Sequence, residues 1–156
     1  MEKVPITRQG FRNLYAQLLY LRRVVRPRVL EELQEARLYG VKVDNQQYLW
    51  AREQHRALQR KIEDLQTKIA QCEIVVGRKF LVRRVAFGTR IIVLNVDTGQ
   101  TFHFQMVGPF ESDVRNGKLS IDSPVGRGLM GRTQGEEITV LTPAGERTYR
   151  ILHVDM

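Results

Sequence analysis

Cysteine is nearly absent from this 156-residue chain: Cys72 is the only one, so no disulfide can form within it, and a reducing compartment is the default expectation. The three histidines, His55, His103 and His153, lie far apart, and with a single cysteine they reproduce none of the spacings of a zinc site. No stretch approaches the ~18 consecutive apolar residues of a membrane span. The N-terminal residues, Met1-Glu-Lys-Val-Pro-Ile-Thr7, lack the apolar core of a secretory signal. These absences point to the cytoplasm. Internal repeats and low-complexity tracts are also missing.

What the chain does have is positive charge. The formal net charge is +8, with 25 Lys+Arg against 17 Asp+Glu. Residues 1–75 hold 14 bases and 9 acids, so the excess is not a basic tail on a neutral body. Such a balance favours a polyanionic partner, either nucleic acid itself or an assembly that carries it.

Helical periodicity is the second strong signal. Tyr48, Ala51, His55, Leu58, Ile62, Leu65, Ile69 and Cys72 alternate steps of three and four residues, the pattern of a coiled-coil seam. Phe11, Leu14, Leu18, Leu21 and Val25 keep the same alternation upstream, and the pattern resumes at Val29, Leu30, Leu33 and Ala36. Thr7 is placed to cap the first helix. Pro27 falls inside it and is expected to bend or break it. Gly40 suits a C-cap or loop tip, and Asp44 or Asn45 an N-cap for the returning helix, which should run to about Glu73. The expectation is an antiparallel helical hairpin over residues 1–75, with its tip at about 40–45.

Past a linker at Val75–Lys79 the period becomes that of strands. Arg90–Val96 and Gln100–Val107 flank Asp97-Thr98-Gly99, a hairpin turn, and Glu137–Thr142 and Arg147–Val154 flank Pro143-Ala144-Gly145. Between them lie a short strand, Lys118–Ile121, and a brief helix with Ser123 as N-cap and Pro124 at its first position. Residues 76–156 therefore read as a second domain, and the fold class as α+β with an antiparallel sheet.

Candidate functional residues cluster at the tip. Arg52, Arg56 and Arg60 recur every four residues off the seam, with Arg37 and Lys42 nearby. This is either a solvated face or a track for a phosphate backbone. Trp50, beside that stripe and off the seam, with Leu49 and Tyr39, reads as a contact surface or as a brace for the tip. Asp44 is the only carboxylate between Glu35 and Glu53. Alone it makes no metal site, but it could complete one whose other ligands belong to a partner. His55 and Cys72 read as seam fillers, and His103 and His153 as structural or solvated side chains.

Several strings resemble the GreA/GreB family of bacterial transcript cleavage factors. Gly40-Val-Lys-Val-Asp-Asn-Gln-Gln-Tyr-Leu-Trp-Ala-Arg-Glu-Gln54 is similar to the family's Gly-Asp-Leu-Lys-Glu-Asn-Ala-Glu-Tyr run and the Ala-Arg-Glu-Gln that follows. Arg26-Pro27 matches an Arg-Pro pair. Ile121-Asp-Ser-Pro-Val-Gly-Arg-Gly-Leu-Met-Gly131 matches the family's C-terminal signature, and Thr142-Pro-Ala-Gly-Glu146 resembles its last hairpin. The resemblance implies an N-terminal coiled-coil hairpin and an FKBP-like C-terminal domain that docks on bacterial RNA polymerase at the rim of the secondary channel through Asp122, Ser123 and Pro124. It also implies a hairpin tip inserted into the channel, with Arg37, Lys42, Arg52, Arg56 and Arg60 facing the nascent RNA 3′ end. In that scheme two tip acids help hold a Mg2+ shared with the polymerase active site, and the polymerase performs the cleavage, so the factor is not itself the enzyme and acts as a monomer. Here the first acidic position is Val41, the second is Asp44, and a later Glu is Gln47. The expectation is a regulator of elongation with weak or absent cleavage stimulation. The alternatives are a fully active cleavage factor and a generic nucleic-acid-binding protein.

Overall fold

The computed structural model of the chain describes residues 3–39, 45–76 and 84–156. They form two compact units: Phe11–Gln71 is one, and the residues on either side of it are the other. The expected partition after residue 75 follows the chain, whereas the first ten residues are grouped with the C-terminal segment. No helix among the described residues is long and apolar enough to cross a membrane.

The first unit is the helical hairpin. Helix α1 (Arg8–Tyr20) passes through a π-helical turn, Leu21–Val25, into α2 (Arg26–Arg37), and α3 (Gln46–Gln71) returns. At ~1.5 Å per residue the 26-residue α3 is about 39 Å long. Leu18, Leu58 and Ile62 form one buried layer, bordered by Leu21, Val25, Val29, Leu65 and Ile69. Nearer the loop, Leu33, Ala36 and Ala51 form another, with Tyr48 against it. Rising numbers on one arm meet falling numbers on the other, so the arms are antiparallel. His55 is half-buried and belongs to neither layer.

Pro27 does not break the helix. Along the first arm the seam steps from Leu18 through Leu21, Val25, Val29 and Leu33 to Ala36, one residue more than a three-four alternation contains. The π-turn absorbs that residue: the Arg26 N–H donates to the Leu21 carbonyl, a span of five instead of four. Val25 and Val29 thereby both stay on the seam. Pro27, near the start of α2, has no N–H to give, and the wide turn ahead of it removes the need for one.

Helix α3 ends at Gln71, two residues earlier than its periodicity suggests, and Cys72 is not a seam residue. Cys72–Ile74 is strand β2, paired in parallel with β1 (Val4–Ile6). The Val75 N–H donates to the Ile6 carbonyl at 3.0 Å, extending this pairing by one residue. Strand β1 is three residues long and contains Pro5, so it carries no readable period; it exists because β2 supplies its hydrogen bonds.

Next to β1 sits a polar clasp. The Glu111 carboxylate accepts from the Thr7 N–H at 2.9 Å, the Gly108 N–H at 3.0 Å and the Thr7 hydroxyl at 2.6 Å. The same hydroxyl accepts from the Gly10 N–H at 3.0 Å, the expected N-cap of α1. A Cβ at Gly10 would collide with this carboxylate. Glu111→Ala orphans three part-buried donors and is expected to cost about 3 kcal/mol, at roughly 1 kcal/mol per bond. Glu111→Gln, which keeps an acceptor oxygen, should cost less. Urea unfolding of the two variants measures this, and an Ala variant within about 0.5 kcal/mol of the parent would refute it.

In this second unit the described residues form a curled sheet in the order β5-β4-β3-β7-β6. Its strands are β3 (Arg90–Asn95), β4 (Thr101–Val107), β5 (Lys118–Ser120), β6 (Glu137–Thr142) and β7 (Gly145–Asp155). Two antiparallel hairpins account for most of it. In the first, buried Asn95 turns the chain by accepting from the Asp97 and Thr98 N–H groups, and Gly99 takes φ 76°. The sheet is not wholly antiparallel: β5 pairs in parallel with β4, because the chain between them crosses back through two 3-10 turns. Helix α4 (Pro124–Leu129) covers the inner face and buries Leu129 against a core that includes Val93, Met106 and Ile151. The linker residues 77–79 and a strand start at Phe80 lie outside the described residues.

Candidate functional site

The corner between β5 and α4 is built by two serines. Buried Ser120 accepts from the Asp122 N–H through its hydroxyl at 3.1 Å. Its carbonyl accepts from the Ser123 hydroxyl at 2.7 Å and from the Ser123 N–H at 3.2 Å. The Ser123 oxygen in turn accepts from the Gly126 N–H at 3.0 Å, capping α4, with Pro124 at the first helical position as expected. A Cβ at Gly126 would strike the Ser120 carbonyl, so only glycine lets the helix start this close to β5. With its backbone held, Asp122 points a carboxylate into solvent that makes no ion pair among the described residues.

Beside this corner lies an open, mainly apolar groove of about 290 Å³, whose lining includes Ser123, Pro124, Phe102, Phe104, Val125 and Tyr149. Phe102 and Phe104 stack at 5.7 Å, and Tyr149 meets Phe102 edge-on at 6.4 Å. Sequence reading did not single out these aromatics. The i, i+2 spacing of Phe102 and Phe104 signals a shared sheet face, but Tyr149 joins them only through the β3–β7 register.

At the hairpin loop the structure shows how the two helix ends are tied. The Asn45 side chain accepts from the Tyr48 N–H at 3.1 Å, capping α3, and donates to the Ala36 carbonyl at 3.1 Å, near the end of α2. One amide thus serves both ends. Gly40, Val41, Lys42 and Asp44 lie outside the described residues. Arg37, Arg52 and Arg56 are exposed, and Arg37 and Arg52 each directly follow one of the packed pair Ala36 and Ala51. Arg60 differs: it is bonded to Glu53 at 3.0 Å, which offsets its charge on the outer face of α3. Trp50 is 58% exposed, yet it does not stand beside the stripe. Two residues along a helix is a turn of 200°, which places Trp50 and Arg52 about 160° apart.

His103 and His153 are both cross-strand neighbours of Ile92, on the outer face of the sheet. They line a hollow of about 350 Å³ with Arg90 and Gln105, and His153 meets Asp155 at 3.2 Å. Among the described residues no three His, Cys, Asp or Glu side chains converge to hold a metal. Burial pushes the Cys72 thiol above its usual pKa, and the neighbouring Glu111 charge adds to the shift, so the thiol stays protonated and unreactive at neutral pH.

The comparisons with known proteins agree across the whole chain. Residues 4–74 match the family model "Transcription elongation factor, N-terminal", and residues 82–156 match "Transcription elongation factor, GreA/GreB, C-term". The chain belongs to the GreA/GreB family of transcription elongation factors. It is 38% identical over 154 residues to transcription elongation factor GreA of Syntrophobacter fumaroxidans, covering 99% of each chain. The GreA proteins of Thermodesulfovibrio yellowstonii and Pseudomonas aeruginosa are each 36% identical to it. The first match covers 98% of this chain and 97% of the relative, and the second 99% and 98%. Among solved structures, GreA factor homolog 1 of Thermus thermophilus aligns over 99% of this chain and all of its own, at 23% identity and a TM-score of 0.45.

Proposed function

We propose that this elongation factor docks on bacterial RNA polymerase through the Asp122-Ser123-Pro124 corner and presents its hairpin loop inside the secondary channel, where it regulates elongation with little stimulation of RNA cleavage. The observation that carries the docking reading is the corner itself. A charge without an ion-pair partner among the described residues stands beside an apolar, aromatic groove, held by hydrogen bonds that leave its carboxylate free. An apolar groove with an exposed charge on the residue next to it in the chain is a suitable receptor for a protruding element of a partner protein.

The reading of activity rests on the loop sequence. Asp44 is its one carboxylate; Val41 cannot bind a metal or accept a proton, and Gln47 carries no charge. The chain's own donors therefore do not make a metal site, and any Mg2+ at the reacting phosphate would be held by the polymerase, with at most Asp44 contributed from here. The factor acts on the polymerase's own active site in this scheme and has no active site of its own.

Asp122→Arg tests docking. The side chain is exposed and makes no ion pair among the described residues, so the reversal should leave the melting temperature unchanged while weakening polymerase binding by more than tenfold in a pull-down or anisotropy titration. A wild-type chain that binds naked nucleic acid but ignores polymerase would support the generic nucleic-acid-binding reading instead.

A further inference from the structure

The corner that carries Asp122 is fixed through consecutive N–H groups. The Ile121 N–H donates to the Val107 carbonyl at 2.9 Å, and the Ser123 N–H to the Ser120 carbonyl at 3.2 Å. Both acceptors are backbone groups, so they do not depend on residue type. Between them, the Asp122 N–H donates to the Ser120 hydroxyl at 3.1 Å. Of these bonds, it alone depends on a side chain.

That hydroxyl sits in apolar surroundings. Ser120 is 7% exposed, and its register partner on β4 is Val107, which is 1% exposed. A buried hydroxyl costs free energy unless it is bonded. The backbone of Ser120 has a separate task. Its carbonyl accepts from both the N–H and the hydroxyl of Ser123, the cap of α4. A Cβ on Gly126 would strike the same carbonyl, so α4 is seated directly on it. The carbonyl thus holds the helix, and the hydroxyl holds Asp122.

We infer that Ser120 is a positioning residue for docking: its buried hydroxyl fixes the direction in which Asp122 presents its carboxylate to the partner. Asp122 is exposed, so without the Ser120 hydroxyl its N–H turns to water and the fold loses little. What is lost is a single orientation. A carboxylate free to turn must be ordered when the partner binds, and preorganisation removes that cost. Ser120 is buried and need not touch the partner itself. The inference deepens the proposed docking and rests on it for the identity of the partner.

Binding of the full chain to RNA polymerase is titrated by fluorescence anisotropy, and amide exchange of Asp122 is followed by NMR on the chain alone. Ser120→Ala should speed exchange of the Asp122 N–H at least about tenfold. It should weaken polymerase binding about fivefold, the net worth of one hydrogen bond. Ser120→Thr, which keeps the hydroxyl, should restore both. Ser120→Cys has a similar volume and only a weak acceptor, so it carries the test if the alanine variant does not fold. Asp122→Ala removes the carboxylate that Ser120 aims, and in that background the effect of Ser120→Ala on binding should fall below about twofold. A merely structural role would give the same loss in both backgrounds, and that outcome overturns the inference. So does slow Asp122 exchange in Ser120→Ala, or wild-type affinity of Ser120→Ala under conditions where Asp122→Arg binds weakly. A wild type that does not bind polymerase at all ends the docking reading, and the inference with it, whatever the exchange rates.

Discussion

Ile62→Asp is expected to unfold the helical hairpin. Ile62 is 3% exposed and packs with Leu18 and Leu58 in one buried layer of the seam. Removing the isoleucine leaves a cavity costing about 2–5 kcal/mol, and the new carboxylate would be buried without an opposite charge. The sum is on the order of 5 kcal/mol, comparable to the whole stability of a small unit. Far-UV circular dichroism at 25 °C should show loss of much of the helical signal, and the urea midpoint should fall sharply. Leu65→Asp is the milder substitution, although the periodicity treats the two positions alike. Leu65 is only half-buried and opens onto the groove that contains Lys61. An unchanged midpoint for Ile62→Asp would mean that the antiparallel register described above is wrong.

The second large effect concerns chemistry at the loop. On a stalled, backtracked transcription complex the wild-type chain is expected to stimulate transcript cleavage weakly or not at all. Val41→Asp combined with Asp44→Glu should raise cleavage by about a hundredfold. The magnitude follows from one charge-assisted contact to the reacting centre, worth roughly 3 kcal/mol. The aliphatic side chain at position 41 supplies no such contact, and aspartate at 44 reaches less far than glutamate would. Polymerase binding should be the same for both proteins, since the Asp122-Ser123-Pro124 corner is untouched. The unaltered chain should therefore compete with an active cleavage factor, and the variant should replace one. Strong wild-type cleavage that survives Asp44→Ala would place the chemistry outside the loop acids and end this reading.

Both predictions depend on features of different legibility. The seam could be read because hydrophobic burial in a helix repeats at short range: Leu18, Leu58 and Ile62 stand at three- and four-residue steps whatever they pack against. The turn at Asp97-Thr98-Gly99 and the Ser123-Pro124 helix start were equally readable, since their hydrogen bonds run within a few residues. The π-turn was not, although its cause is visible as one surplus residue between Leu21 and Leu33. A skipped step can be met by a π-turn, a kink or a break, and packing against α3 selects the π-turn.

The sequence by itself determined the helical arms and their approximate ends, the two sheet hairpins, the excess of positive charge, the single carboxylate in the loop, and family membership. Each is carried by residue type at fixed spacing along the chain. Tertiary structure alone decided the rest. Strand β1 exists because Cys72–Ile74 lies beside it, and Glu111 holds Thr7 across a separation of 104 residues. The aromatic groove beside Asp122 joins β4 to β7. These are contacts between segments whose sequences carry no mark of one another. They form when the hydrophobic seam and sheet close, because closure fixes which side chains of distant segments come within reach.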